Sequence, residues 1–184
     1  MREASGISAE CTLAYVRLEE ANALGEREFV ERFGAVFEHS PWVAKRAWQK
    51  KPFRSLDSLH AAMMQSVAEA RKDEQLALVR AHPELAGREA KQDALTADSS
   101  SEQGRLGFLQ LTREEFEAMA RLNQRYRERH GFPCIVALRL HATRDSVLAE
   151  ISRRIEGDSE AELKAALEQI GHITRGRLER IVDG

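Results

Sequence analysis

Apolar residues recur at three- and four-residue steps along most of this chain, and the α-helix is the backbone that gathers such a spacing onto one face. The stretch "GEREFVERFGAVFEHSPW" puts Phe29, Phe33, Val36 and Phe37 on one side and stops near Ser40-Pro41. The longer "SLDSLHAAMMQSVAEARKDEQLALVRA" carries Leu56, Leu59, Met63, Val67 and Ala70 in the same rhythm and reads as one long helix. Thr112 and Glu115 have capping-box spacing ahead of "TREEFEAMARLNQRYRERHG", which ends on Gly131, a helix-stopping residue. "RDSVLAEISRRI" repeats the pattern through Val147, Leu148, Ile151 and Ile155, and Ser159 with Glu162 is expected to cap a last helix reaching about Ile181. Two segments break the rhythm, residues 80–111 and "GFPCIVALRLH" at 131–141, the second a short strand or an extended connector. With only four prolines and eleven glycines in 184 residues, a turn-rich β architecture is disfavoured. The expectation is an all-α fold, a single-domain helical bundle over residues 1–184 with one long irregular loop. Loops of that length in compact domains are usually functional or disordered.

The bulk numbers narrow the partners. A net charge of -2 gives no general attraction to nucleic acid or to an anionic membrane. No run approaches the ~18 apolar residues needed to span a bilayer, and charges flank the apolar residues of the first twenty, unlike a signal peptide. Cys11 and Cys134 form neither a disulfide framework nor a zinc-binding spacing, which fits a reducing, cytoplasmic setting.

Several polar residues sit against the apolar pattern. On the last helix Leu163, Leu167, Ile170, Thr174 and Ile181 make the core stripe. Arg177 falls inside it; Arg175 and Arg180 fall outside. A core-facing guanidinium must find acceptors or an anion, whether from a structural ion pair or from a ligand. Asn123, among Phe116, Met119, Ala120 and Tyr126, reads as a satisfied core amide that fixes a neighbouring loop. His82 precedes Pro83, which pushes it out of the α region and ends the helix there. The helix dipole favours imidazolium at that position, suiting a general acid near neutral pH. In "SSSEQ", residues 99–103, Ser99 and Glu102 have capping-box spacing, yet Gly104 and Gly107 follow at once. A hydroxyl, a carboxylate, an amide and free backbone N–H groups concentrate at one helical start, a good place to hold a polar ligand.

Three blocks together, "AHPELAG" (81–87), "TADSSSEQGRLGF" (96–108) and "LNQRYRERHGFPCIVALR" (122–139), resemble the 2-oxo-4-hydroxy-4-carboxy-5-ureidoimidazoline (OHCU) decarboxylases of urate breakdown. That resemblance implies an all-helical, usually homodimeric enzyme needing no metal and no organic cofactor. The reaction it implies forms (S)-allantoin and carbon dioxide from a small-molecule ureidoimidazoline. By the same resemblance His82 is the catalytic proton donor, with Glu102 and Arg177 also catalytic. Pro83, Ser99, Ser100, Ser101, Glu102, Gln103 and Arg177 are substrate-binding, with Arg175 as the alternative to Arg177. So is the wall formed by Cys134, Ile135, Val136, Ala137 and Leu138. Cysteine at 134 departs from the bulkier apolar residue often found there in the family, and "QGRLGF" departs from its more usual Gln-Ala-Gly-Ala-Gly-like run.

Two other classes compete. A non-catalytic helical module could present "RLNQRYRER" to a nucleic acid, although interleaved glutamates and the net charge oppose it. A metal-dependent hydrolase could be built on His82, Glu102 and a second histidine, although no two histidines flank a glutamate at helical metal spacing.

Overall fold

The computed structural model describes residues 15–87 and 95–183. The fold is a mainly α single domain. Its described helices are α1 (Leu18–Ala23), α2 (Glu26–Phe33), α3 (Trp42–Trp48), α4 (Leu56–Ala68), α5 (Lys72–Ala81), α6 (Ala97–Arg105), α7 (Arg113–His130), α8 (Arg144–Ile155) and α9 (Ser159–Glu179). Short 3₁₀ turns follow α2 (Gly34–Phe37) and the buried connector after α7 (Leu138–Leu140). A two-residue parallel pair, β1 (Val16–Arg17) with β2 (Val182–Asp183), draws the two ends of the described chain together, Val16 opposite Val182. Two residues carry no period, so nothing in the sequence pattern announced that pair.

Helix α9 organises the bundle, packing against α4, α5, α7 and both 3₁₀ turns. Its buried face runs through Leu163, Ala166, Ile170, Thr174, Arg177 and Leu178, at the helical spacing the pattern required. Gly171 brings α4 close: a Cβ there would sit 3.2 Å from Met64 Cε. The core continues through Phe29, Phe33, Phe37, Leu59, Met63, Leu78, Met119 and Ile151.

The structure departs from the periodic reading in three places. The expected long helix at 55–81 is two helices, because residues 69–71 leave the helical path and Arg71 restarts it in an extended conformation (ψ 155°). The cap of α6 is Thr96, whose hydroxyl accepts from Ser99 N at 3.3 Å; Ser99 and Glu102 therefore lie inside the helix and are no capping box. Asp158 caps α9, accepting from Glu160 N and Ala161 N, and Glu162 turns inward instead of back to the cap. Of the two readings of segment 131–141, the extended connector is the one present: it is buried and runs into the 3₁₀ turn. Other readings hold. Thr112 and Glu115 form the expected capping box, Gly131 closes α7 with φ 79°, and Asn123 Nδ2 donates to the Leu85 carbonyl at 2.9 Å. Cys11 lies outside the described residues, and no described helix is long and apolar enough to cross a membrane.

Candidate active site

One cavity of about 40 Å³ is lined by His82, Pro83, Leu85, Ser99, Glu102, Gln103, Cys134, Ile135, Val136, Leu138, Ile173 and Arg177. Four parts of the chain converge there: the end of α5, the face of α6, the connector after α7 and the last turns of α9. Each is placed by a local cause.

Helix α5 stops at His82, which has φ -81° and ψ 135° ahead of Pro83. Its Nδ1 lies 2.9 Å from the Leu78 carbonyl oxygen. A carbonyl only accepts, so Nδ1 carries the hydrogen and Nε2 presents a lone pair. Nε2 is buried and has no hydrogen-bond partner among the described residues. Burial pushes the His82 pKa down to about 4, while the Leu78 carbonyl and the Glu38 carboxylate pull the other way and Arg177 and His39 add to the depression. This corrects the expectation of an imidazolium. A helix terminus is worth about 0.3–1 kcal/mol, less than one pKa unit, whereas burial can shift a group by about 3–5 units. Desolvation wins, and the resting imidazole is neutral.

On α6, Ser99, Glu102 and Gln103 stand at i, i+3 and i+4 and so share the cavity face. Ser100 and Ser101 are turned away and do not line it, contrary to expectation. Gln103 reaches the cavity but uses both ends of its amide on the loop after His82. Its Oε1 accepts from Ala86 N at 2.9 Å and its Nε2 donates to the Glu84 carbonyl at 3.2 Å. It holds the loop that holds Pro83.

The connector wall is buried, so its backbone needs internal partners. Arg154 Nη1 donates to the Ile135 carbonyl at 2.7 Å, Ala137 N donates to Gln169 Oε1 at 2.8 Å, and Arg105 donates to the Leu138 carbonyl. Cys134, Ile135, Val136 and Leu138 face the cavity; Ala137 is buried but not on its lining. Burial raises the Cys134 thiol to about 12, so it is an apolar wall residue and no nucleophile.

Of the two candidate arginines on α9, Arg177 is the one at the cavity. It is 2% exposed and lines the cavity, whereas Arg175 lies off the cavity, paired with Asp57 at 2.8 Å and with Glu179. Arg177 presents a bidentate edge to Glu102, Nε to Oε1 at 2.9 Å and Nη2 to Oε2 at 2.8 Å. Nη2 also reaches Ser99 Oγ at 3.2 Å, and Nη1 donates to the Val36 carbonyl at 3.3 Å. Burial opposes its charge, but the ion pairs with Glu102 and Glu38 more than offset that and raise its pKa.

Glu38 escaped the sequence reading. Its carboxylate is buried behind the cavity lining, 2.7 Å from Arg177 Nη2. It accepts from the Ser99 hydroxyl and from Thr96 Oγ1 at 3.1 Å. Burial works against the anion, yet Arg177, the Ser99 hydroxyl and His82 hold its pKa below the usual carboxylate range. Its backbone has φ 47° and ψ -131°, outside the basins open to side chains, at a cost of about 1–3 kcal/mol that the surrounding contacts must overcome. The one signal in the sequence was a glutamate set directly after the apolar Ala35-Val36-Phe37 in "AVFEHSPW".

With that geometry established, the relatives become informative. A family model described as OHCU decarboxylase matches residues 22–179. The chain belongs to the OHCU decarboxylase family. It is 39% identical over 161 residues to the 2-oxo-4-hydroxy-4-carboxy-5-ureidoimidazoline decarboxylase of Haloferax volcanii, covering 88% of this chain and 93% of that protein. It is 36% identical over 157 residues to the protein of the same name in Mus musculus, covering 85% and 88%. A crystal structure of an (S)-allantoin synthase superposes with a TM-score of 0.68 at 30% identity, covering 91% of this chain and 54% of that one. This chain thus spans about half of that solved chain. Among the described residues no three His, Cys, Asp or Glu side chains gather so as to hold a metal ion, so the hydrolase alternative has no ligand set there.

Proposed function

We propose that this chain decarboxylates 2-oxo-4-hydroxy-4-carboxy-5-ureidoimidazoline stereoselectively, without metal or organic cofactor, to give (S)-allantoin and carbon dioxide in urate breakdown. A single catalytic domain over residues 1–184, acting as a cytoplasmic homodimer, is part of that reading. The observation that carries it is the convergence of His82, Ser99, Glu102 and Arg177 on one small cavity in a chain of this family.

The chemistry suits those groups. Carbon dioxide leaves from a ring carbon that also bears a hydroxyl, and the electron pair passes into the adjoining carbon–nitrogen double bond. A proton taken up at that nitrogen balances the lost carboxylate. The resulting enol must then lose its hydroxyl proton and gain one at the ureido-bearing carbon. A neutral His82, with Nδ1–H anchored on Leu78 and Nε2 open, can do both. It takes the hydroxyl proton as a base and returns it to one face of the ring as an acid. In this reading the proton-donor role takes a different form: the imidazole first collects the proton it later gives. Arg177 sets a buried guanidinium beside the oxygen on which charge develops. Glu102 can accept from ureido N–H groups and fix their orientation.

The direct test generates the substrate in place from urate with urate oxidase and hydroxyisourate hydrolase and follows circular dichroism. Chelator-treated protein should build up (S)-allantoin faster than the spontaneous racemic background. A racemic product at the background rate would sink the reading.

A further inference from the structure

We propose that Glu38 is a positioning residue, the permanent carboxylate partner of Arg177, and that it keeps the guanidinium in place while Glu102 yields its share to the ligand.

The two carboxylates that hold Arg177 differ in every respect that bears on exchange. The Glu38 side chain is 1% exposed and that of Glu102 is 24% exposed. Glu38 is tied by three side chains, Thr96 at the cap of α6, Ser99 within α6 and Arg177 of α9, and it does not line the cavity. Glu102 lines that cavity and also an adjoining, larger one of about 280 Å³, with Leu138 and Ile173 common to both. It stands in the wall between them.

The inner cavity, about 40 Å³, has room for about three waters at 10–15 Å³ each. A ureidoimidazoline does not fit in that space, so a group in the wall must move. Glu102 has somewhere to go. Arg180 Nη2, which lines the outer cavity, already lies 3.5 Å from Glu102 Oε1 while paired with Asp98 at 2.7 Å. A turn of the Glu102 side chain toward Arg180 opens the wall and frees Nε and Nη2 of Arg177 for a substrate oxygen pair.

That exchange would be forbidding if Glu102 were the sole anion on Arg177, because a buried guanidinium would stand unpaired at each opening. Glu38 removes this obstacle. It also holds Ser99 Oγ, which sits 3.2 Å from Arg177 Nη2, so both cavity groups keep one geometry through the exchange.

The kinetic arm of the test rests on the decarboxylase reading, and the wild-type control separates the two. Wild-type protein that forms no (S)-allantoin removes that reading and this inference with it. Given wild-type turnover, Glu38→Gln keeps the shape and the hydroxyl contacts but loses the charge. In variant protein with wild-type far-ultraviolet circular dichroism and counted active sites, KM should rise about ten-fold or more while kcat changes by less than about three-fold. A merely structural role lowers the folded fraction and leaves the KM of the remainder alone, so unchanged KM would overturn the proposal. If the variant does not fold, the wild-type protein crystallised with (S)-allantoin decides. Glu38 should stay within about 3 Å of Arg177 Nη2 while Glu102 leaves Nε and Nη2. Glu102 keeping both bonds, or Glu38 letting go, would overturn it.

Discussion

Two arginines of this protein are buried to the same extent, and only one lines the cavity. Arg154 and Arg177 are each 2% exposed, and each meets a glutamate at 2.8 Å. Arg154 is closed in on every side. Its Nε donates to Glu162 Oε2 and its Nη1 to the Ile135 carbonyl, while Tyr126 donates to the same glutamate oxygen at 2.7 Å. Burial opposes its charge, and the surrounding Cys134, Tyr126 and Glu162 together keep its pKa raised. Arg177 has an equally buried partner in Glu38, but its second partner, Glu102, faces a cavity. A buried ion pair is therefore no mark of function by itself. What marks Arg177 is a partner that can be exchanged.

The largest expected effects break this comparison in opposite directions. Arg154→Met should destabilise the fold by about 3–5 kcal/mol, since Glu162 is left as a buried charge without its cation. Activity per folded molecule should nonetheless stay within about ten-fold, because the lost charge faces no ligand. Arg177→Lys should keep more stability yet lower kcat/KM by a factor of about a hundred or more, as a point ammonium cannot copy a planar fork. Denaturant titration beside steady-state kinetics on both variants checks this. An Arg154 variant that is stable but dead would show that the two arginines are not divided as described.

His82 sharpens the same contrast, being another buried group with one open valence. His82→Gln should lower kcat by about 10²–10⁴ while a product such as (S)-allantoin still binds, because an amide keeps hydrogen bonding but shuttles no proton. Near-normal turnover would assign the proton transfer to another group.

The same residue makes a separate stability prediction. The pKa of His82 is near 4 in the fold against about 6.5 when exposed, so the unfolded chain binds more protons between those values. Its contribution is complete above about pH 6.5 and fades as pH falls toward 4, amounting to about 3 kcal/mol at most. Glu38, also depressed, acts in the same direction at lower pH. Unfolding free energy measured from pH 7 to 4.5 should therefore fall more steeply for wild type than for His82→Gln. Equal slopes would mean that His82 is not buried as a neutral imidazole.

How far the sequence reached follows from the distance between partners. Helix faces, the Thr112 cap and the inward turn of Arg177 depend on residues three or four apart, and periodicity reads those. Asn123 was legible as a satisfied amide because its own helix placed it in the core, though its acceptor lies at Leu85. Glu38 was not legible, because its meaning comes from Ser99, sixty-one positions away. Glu162 had the spacing of a cap, and only the fold shows that it serves Arg154 and Tyr126. His82 was placed correctly and charged wrongly, since local rules see the helix end and not the burial around it. Ser100 and Ser101 came in with a motif whose helical turn sends every third and fourth residue, and not its neighbours, to the cavity.

The smallest effect tests the choice between neighbours on α9. Arg175→Lys should change kcat/KM by less than about two-fold and stability by less than about 0.5 kcal/mol. Arg175 and Arg177 are two positions apart, about 200° around the helix, so they cannot share a face. Arg175 instead spans from α9 to Asp57 on α4 and along its own helix to Glu179, both partners well exposed. Exposed pairs of that kind are worth little, and a lysine can still reach either carboxylate. A loss in kcat/KM approaching that of Arg177→Lys would require the last turns of α9 to be rotated by about half a turn from the geometry described. That rotation would also pull Arg177 away from Glu38 and Glu102, so this mild variant checks the register on which the whole site depends.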